Sequence, residues 1–321
     1  MNVDGCSFML DAATKFWRGL HIAGWFHHPK EHLTSVLIED RLIVFQSADL
    51  SLPHGGVAEL GENKGFALHC ILEDNIFPWD AKLTFATDRG RTFTCKLFDL
   101  INEERSNPTR ALTQRFLDLI ARSKGASILD VGGRQRSRID RKAVFRDNEV
   151  IVVDILSGPN VDVVADAHSL SRHFAPETFE FVTSVSVFEH LAMPWKVAIE
   201  LNAIMKTGGY ALIHSHQTLG IHDAPWDFWR FSDEAWRAIF NSNTGFEIID
   251  VAMGHPQFIL PFLWRPDKEN AERSAGFESS LALVRKVGPA TESWKTDLTS
   301  VVKHSYPTAP DNNPETDQLM I

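Results

Sequence analysis

Apolar residues change their period once along this 321-residue chain, near residue 105, and no other feature restricts the possible folds as much. From Trp17 to about Phe98 they fall in short alternating runs, HIAGWF, LTSVLI, RLIVFQ, FALHCI, KLTFA and TFTCKLF, separated by turn chemistry. Period-two alternation puts one face of a strand toward a core, and several such strands in series predict an antiparallel sandwich. Glu39-Asp40 and Asp88-Arg89-Gly90 stand where tight hairpins are needed, and Pro53-His54-Gly55-Gly56 where a longer loop is. After the polar connector INEERSNPTR, strands alternate with helices: ILDVGG, VIVVD, VDVVAD, FEFVTSVSV, YALIHSH, FEIIDVAM and SLALVRKV. That alternation predicts a mostly parallel sheet with helices on both faces.

A chain of this length outgrows one hydrophobic core, so the period change is read as a domain boundary. The predicted units are a β-rich, sandwich-like domain over 1–104, an α/β domain over 105–288 and a partly mobile extension over 289–321. Asn107-Pro108 punctuates a helix start, and ALTQRFLDLIARSKG then places Leu112, Phe116, Leu119 and Ile120 on one face, with Gly125 past its end. PWKVAIELNAIMK repeats the pattern with Val197, Leu201, Ile204 and Met205, and Gly208-Gly209 is expected to turn the chain into the next strand.

Charge narrows the partners. A formal net charge of −10 repels a phosphate backbone, so nucleic acid is not expected and a small or sugar-like acceptor is. The first residues lack a basic and apolar signal pattern, and the longest apolar stretch, Phe258 to Trp264, is too short to cross a bilayer. A cytoplasmic protein without an integral membrane segment is the expectation. Cys6, Cys70 and Cys95 are widely spaced and give neither a disulfide framework nor a zinc motif.

Chemistry gathers at the predicted strand ends. ILDV is followed by Gly132-Gly133, where backbone can approach a ligand closely; VIVVD ends in Asp154, a carboxylate able to accept ribose hydroxyls; VDVVAD ends in Asp166. Across ILDVGG, VVDILSGPNVDVVADAH, FEFVTSVSVFEHL and LNAIMKTGGYALI the chain resembles the Rossmann-like S-adenosylmethionine-dependent methyltransferases, over roughly residues 109 to 288. The resemblance implies S-adenosyl-L-methionine as cofactor. It implies that Asp130, Gly132 and Gly133 border the methionine moiety, Asp154 holds the ribose, and Asp166 with Ala167 meets the adenine. Glu189 and His190 match the segment lining the methionine side. It also implies a last antiparallel strand, for which SLALVRKV is the candidate. The loop Gly132-Gly133-Arg134-Gln135-Arg136 departs from the family in lacking further glycines.

The block HSHQTLGIHDAPWDFWRF follows the fifth α/β strand, where an acceptor site should open. Within it His222, Pro225, Asp227 and Arg230 resemble the H-x-x-P-x-D-x-x-R block of methyltransferases associated with polysaccharide or glycolipid biosynthesis. His222 is the candidate base for a hydroxyl, with His216 its nearest competitor; a structural His222, bonded to backbone or Asp227, is the other reading. Asp227 and Arg230 join the catalytic candidates, and Trp226 and Trp229 offer flat walls for a sugar ring. His214, His216, His222 and Asp223 lack a familiar zinc spacing, so no metal ligands are assigned. Arg134, Arg136, Arg138, Arg141, Lys142 and Arg146 are the one basic concentration, read as a solvated face or as a phosphate site for a nucleotide sugar. Trp17, Trp25, Phe26 and Trp79 are read as core in preference to a saccharide platform. The expected function is O-methylation of a sugar hydroxyl on a glycan or its precursor. The alternatives are a small-molecule N- or O-methyltransferase and a non-catalytic glycan-binding scaffold.

Overall fold

The computed structural model describes residues 2–3, 5–54, 64–101, 107–134, 140–271 and 275–302. The chain divides into two compact units, Met1–Arg105 and Ser106–Ile321. Gln135, Arg136, Arg138, the loop glycines 55 and 56, half of the polar connector and the acidic tail lie outside the described residues.

The first unit holds β1 (Asn2–Val3), β2 (Cys6–Phe16), β3 (Gly19–His27), β4 (Leu33–Glu39), β5 (Ile43–Leu52), β6 (Gly65–Leu72), β7 (Lys82–Thr87), β8 (Thr92–Lys96) and the short helix α1 (Leu97–Ile101). One antiparallel sheet runs β1-β2-β3-β6-β5 and a second runs β4-β7-β8. Alternation does the work: Leu20, Ile22 and Phe26 of β3 point inward while their neighbours are partly exposed. Phe85 of the smaller sheet meets Phe8, Phe26 and Phe66 of the larger one, with ring centroids 4.9, 6.0 and 5.4 Å away. Burying each such ring contributes roughly 1.5–3 kcal/mol. Four expectations change. β2 was not anticipated. Glu39-Asp40 connects strands of different sheets, since β4 pairs with β7 and β5 with β6, so no hairpin forms there. Leu97 and Phe98 open α1 and do not extend β8. Of the four aromatics read as core, Phe26 is buried, Trp25 is half-buried, and Trp17 and Trp79 are 58% and 51% exposed.

In the second unit the elements are α2 (Pro108–Ala121), β9 (Ser127–Val131), α3 (Arg141–Val144), β10 (Glu149–Asp154), β11 (Val163–Val164), β12 (Phe179–Val185), α4 (Pro194–Ile204), β13 (Met205–His216), α5 (Asp233–Ile239), β14 (Phe246–Phe258), β15 (Ala275–Lys286) and α6 (Leu298–Val301). The seven-stranded sheet runs β11-β10-β9-β12-β13-β15-β14. Neighbours from β11 to β13 are parallel, and β15 is antiparallel to both of its neighbours. Leu112, Phe116 and Ile120 of α2 cover one face with Ile128, Phe181 and Leu283; α4 and α5 cover the other through Val197, Leu201 and Trp236. Asn107 caps α2 by accepting from the Thr109 backbone at 3.1 Å, with Pro108 in the first turn. Gly125 (φ +73°) lies beyond the cap residue Arg122 and is not the helix's C′ residue. Gly208-Gly209 makes no turn: α4 passes into β13 at Met205, and both glycines lie inside that strand. A Cβ on Gly209 would come within 2.6 Å of the Glu180 carbonyl oxygen, beside the register shift between β12 and β13.

Candidate active site

The strand order reverses between β9 and β12, so their carboxyl ends splay apart into a cleft, the place where open α/β sheets bind ligands. Val131, Gly132 and Arg134 after β9, Asp154 and Ile155 after β10, and Ala165 to His168 after β11 line it, faced by Ser186, Val187, His190 and Trp226. The glycines are required by packing. Gly132 has φ +75°, and a Cβ there would lie 2.1 Å from Val187 Cγ2; one on Gly133 would lie 2.2 Å from Asp130 Oδ2.

Each strand-end carboxylate has a distinct environment. Asp130 is 2% exposed, its Oδ2 has no hydrogen-bond partner among the described residues, and the Arg141 Nε is 3.7 Å away. Burial pushes its carboxyl up to about 6, against the pull of Arg141 and with a smaller push from Asp154. Asp154 accepts from the backbone of Leu156 at 2.9 Å and of Arg134 at 3.3 Å, which leaves acceptor capacity on a group with about four lone-pair sites. Asp166 accepts from both the backbone and Nδ1 of His168, at 2.9 and 2.7 Å, while His168 Nε2 accepts from the Met193 backbone. Burial works to raise Asp166, yet these bonds hold it below the usual carboxylate range.

A second cluster is built by the turn after β12 and the loop after β13. The loop folds back on the turn: Phe228 and Trp229 backbone N–H groups donate to the Glu189 carbonyl, the Trp229 indole to the Leu191 carbonyl, and His190 Nδ1 to the Trp226 carbonyl at 2.6 Å. Glu189 is fully buried. Its Oε2 accepts from Ser215 at 2.6 Å, and His216 Nε2 lies 3.2 Å from Oε1. Burial would raise Glu189, but the His216 and Ser215 bonds hold it below its ordinary value, and the same carboxylate raises His216. His216 Nδ1 is buried and has no hydrogen-bond partner among the described residues. His214, two positions earlier, is pushed down to about 4, chiefly by burial and then by His216.

Residues 101–251 match a protein-family model described as a methyltransferase domain. The chain carries a methyltransferase domain. The cleft fits S-adenosylmethionine as a methyl donor, having close-approach glycines, carboxylates at the ends of successive strands, apolar walls at Val153 and Ile155, and a buried Arg134 Nε without a hydrogen-bond partner among the described residues. Among solved structures, the methyltransferase is similar to a S-adenosylmethionine-dependent methyltransferase from Archaeoglobus fulgidus, at 17% identity and a TM-score of 0.41 over 55% of this chain and 94% of the other. It is similar to a putative methyltransferase from Bacillus halodurans, at 14% and 0.40 over 54% and 99%. A third is the 1,6-didemethyltoxoflavin-N1-methyltransferase of Burkholderia thailandensis, solved with 1,6-didemethyltoxoflavin and S-adenosylhomocysteine, at 16% and 0.40 over 56% and 79%. No curated protein matches the chain.

The structure brings Gly132, Asp154, Asp166, Ala167 and His190 of the methyltransferase to one pocket, and sets Asp130 and Gly133 directly behind Gly132. Glu189, His190, His216 and His222 form the adjoining cluster. Asp227 and Arg230 are spent on the loop. They pair through two contacts of 2.6 and 2.7 Å, Arg230 also donates to the Leu219, Gly220 and Trp229 carbonyls, and Asp227 accepts from the His222 backbone. Trp226 is buried against the cleft, and Trp229 packs edge-on to Trp195, so the two do not form one platform. Arg134 and Arg141 face Asp154 and Asp130 inside the cleft, not solvent; Lys142 pairs with Asp162 at 2.6 Å. Ser215 and His168 escaped the sequence reading. Only the tertiary fold brings Glu189 to Ser215; Asp166-x-His168 is a local turn that carries no signal of its own.

Proposed function

We propose that this methyltransferase transfers a methyl group to a hydroxyl oxygen, with a sugar hydroxyl of a glycan or glycan precursor as the acceptor class, and with His216 taking the hydroxyl proton. The observation that carries this reading is the pairing of His216 with the fully buried Glu189 next to the donor pocket. A carboxylate on one imidazole nitrogen fixes the tautomer, leaves the other nitrogen free to accept a proton, and stabilises the imidazolium that results. His222 is the second candidate because its neighbour Asp227 is already paired with Arg230. In this reading Asp154 accepts from the ribose of the donor, Asp166 and Ala167 border its adenine, and Arg230 is a positioning residue that holds the 219–230 loop closed on Glu189. S-adenosylmethionine, when bound, supplies an electrophilic methyl group on a sulfonium. The sugar class is supported by the His222-x-x-Pro225-x-Asp227-x-x-Arg230 block alone.

Single-turnover rates with saturating donor, measured on an acceptor found by screening sugars, nucleotide sugars, phenols and amines, test the reading. His216→Ala should lower the chemical rate by about 10²- to 10⁴-fold with little change in donor affinity. A near-normal rate for His216→Ala with a collapsed rate for His222→Ala would move the base to His222. Turnover restricted to amines would replace the hydroxyl acceptor by nitrogen, which needs no buried base when it attacks unprotonated.

A further inference from the structure

One ring nitrogen of His190, one of His222 and one carboxylate oxygen of Glu189 all lie within 4.8 Å of one another. These three residues come from two segments about thirty positions apart, joined by the loop-to-turn hydrogen bonds already described. Their protonation is set by their neighbours. A carbonyl oxygen can only accept, so His190 Nδ1, 2.6 Å from the Trp226 carbonyl, carries its ring's proton. His222 Nδ1 lies 3.1 Å from the Gly220 carbonyl and 3.5 Å from Asp227 Oδ2, both acceptors, and carries the proton of that ring. Each imidazole is left with its lone pair on Nε2. His190 Nε2 lies 3.9 Å from Glu189 Oε1, so a nitrogen lone pair and a buried carboxylate oxygen converge with no proton of their own between them.

We propose that Glu189, His190 and His222 form a site for a divalent first-row transition-metal cation such as Zn²⁺. Two neutral imidazoles and one carboxylate are a ligand set that such cations take, with metal–ligand distances of about 2.0–2.2 Å and further positions left open. Each ligand is oriented from behind: His190 by the Trp226 carbonyl, His222 by the Gly220 carbonyl and Asp227, Glu189 by Ser215 and His216. Outer partners of this kind fix tautomer and ring direction in metal sites. His222 is the most exposed of the three, so its ring can swing to close the ligand spacing. The cation shares Glu189 with His216, whose other nitrogen, Nδ1, is outside the set. His190 also lines the donor pocket, which puts the open positions beside it. That they take an oxygen of the acceptor rests on the reading of this cluster as the acceptor side. Of His214, His216, His222 and Asp223, the residues weighed for a metal from sequence, His222 alone belongs to the set.

The test uses tag-free, full-length protein stripped with a chelator, then titrated with Co²⁺ by visible absorption and with Zn²⁺ by calorimetry, with S-adenosylhomocysteine binding measured on the same samples. One equivalent of cation should bind, with intense Co²⁺ bands in the visible, and His222→Ala should weaken it roughly tenfold or more. His190→Ala should do the same; because it also removes a hydrogen bond to the Trp226 carbonyl, His222→Ala, with unchanged melting temperature, is the deciding variant. Absence of saturable cation binding, or equal affinity in the parent and His222→Ala, overturns the proposal. If the cation binds and S-adenosylhomocysteine does not, the donor assignment of the cleft fails and the cation site stands; the reverse result leaves the donor cleft and removes the cation.

Discussion

Asp130 couples the cleft to stability. Its carboxyl is pushed up to about 6 by burial, whereas in the unfolded chain it ionises near the ordinary value of 3.8. Between these values the unfolded state has lost the proton that the folded state still holds, so stability falls as pH rises from about 4 to above 6, by up to about 3 kcal/mol from this group. Asp130→Asn has no proton to lose. Urea unfolding at pH 4.5 and 7.5 should show the variant gaining stability relative to the parent as pH rises; parallel behaviour would mean that Asp130 is ionised in the folded protein throughout. Asp154 makes a different prediction because it is already served by backbone donors and keeps acceptor capacity toward the cleft. Asp154→Ala should weaken S-adenosylhomocysteine binding by about 1.5–3 kcal/mol, the worth of hydrogen bonds to a charged group. Calorimetry giving equal affinities would remove the ribose from this position.

Helix α2 shows how far local sequence reaches. Asn107-Pro108 announces a helix start, and the Asn107 side chain does accept from the Thr109 backbone and its hydroxyl. Asn107→Ala should therefore cost about 1 kcal/mol in a chemical unfolding experiment, and the Thr109 backbone amide should exchange faster with solvent. Strands with strong alternation, such as β3, were legible for the same reason: each residue's face follows from its own position. What escaped was non-local. β2 alternates only in its first half, where Cys6, Phe8 and Leu10 are buried, and carries Ala12, Ala13, Thr14 and Lys15 in its second, so its stripe is short; pairing with β1 and β3 completes the strand. Gly208-Gly209 reads as a turn, yet Gly208 is there for its φ of +89° and Gly209 because the backbone of β12 passes close by. In the candidate site, the strand-end carboxylates were legible because the fold fixes where strand ends go. Arg230 and Asp227 were not separable from substrate-binding residues, because a charged pair that holds a loop has the same composition as one that holds a ligand. The buried Glu189–His216 pair joins two segments whose sequences carry no mark of one another.

At the scale of the molecule, the two units have separate cores, the first centred on Phe8, Phe66 and Phe85 and the second divided by the seven-stranded sheet. Residues 105–321 should therefore fold alone and bind S-adenosylhomocysteine with the affinity of the full chain. An insoluble fragment, with the full chain soluble under the same conditions, would show that the first unit supplies part of the second unit's stability. The sheet order carries a consequence for biosynthesis. β13 and β14 are not bonded to each other; β15 is the strand inserted between them, and it is made after both. A nascent chain thus completes every strand that shapes the donor pocket while the inner edge of β13, with Leu212 and Ile213 alternating along it, still awaits residues 275–286. Until those residues leave the ribosome, that edge is a template for any other extended chain, and the interval between synthesis of β13 and arrival of β15 is when this enzyme is most exposed to aggregation and has most need of a chaperone.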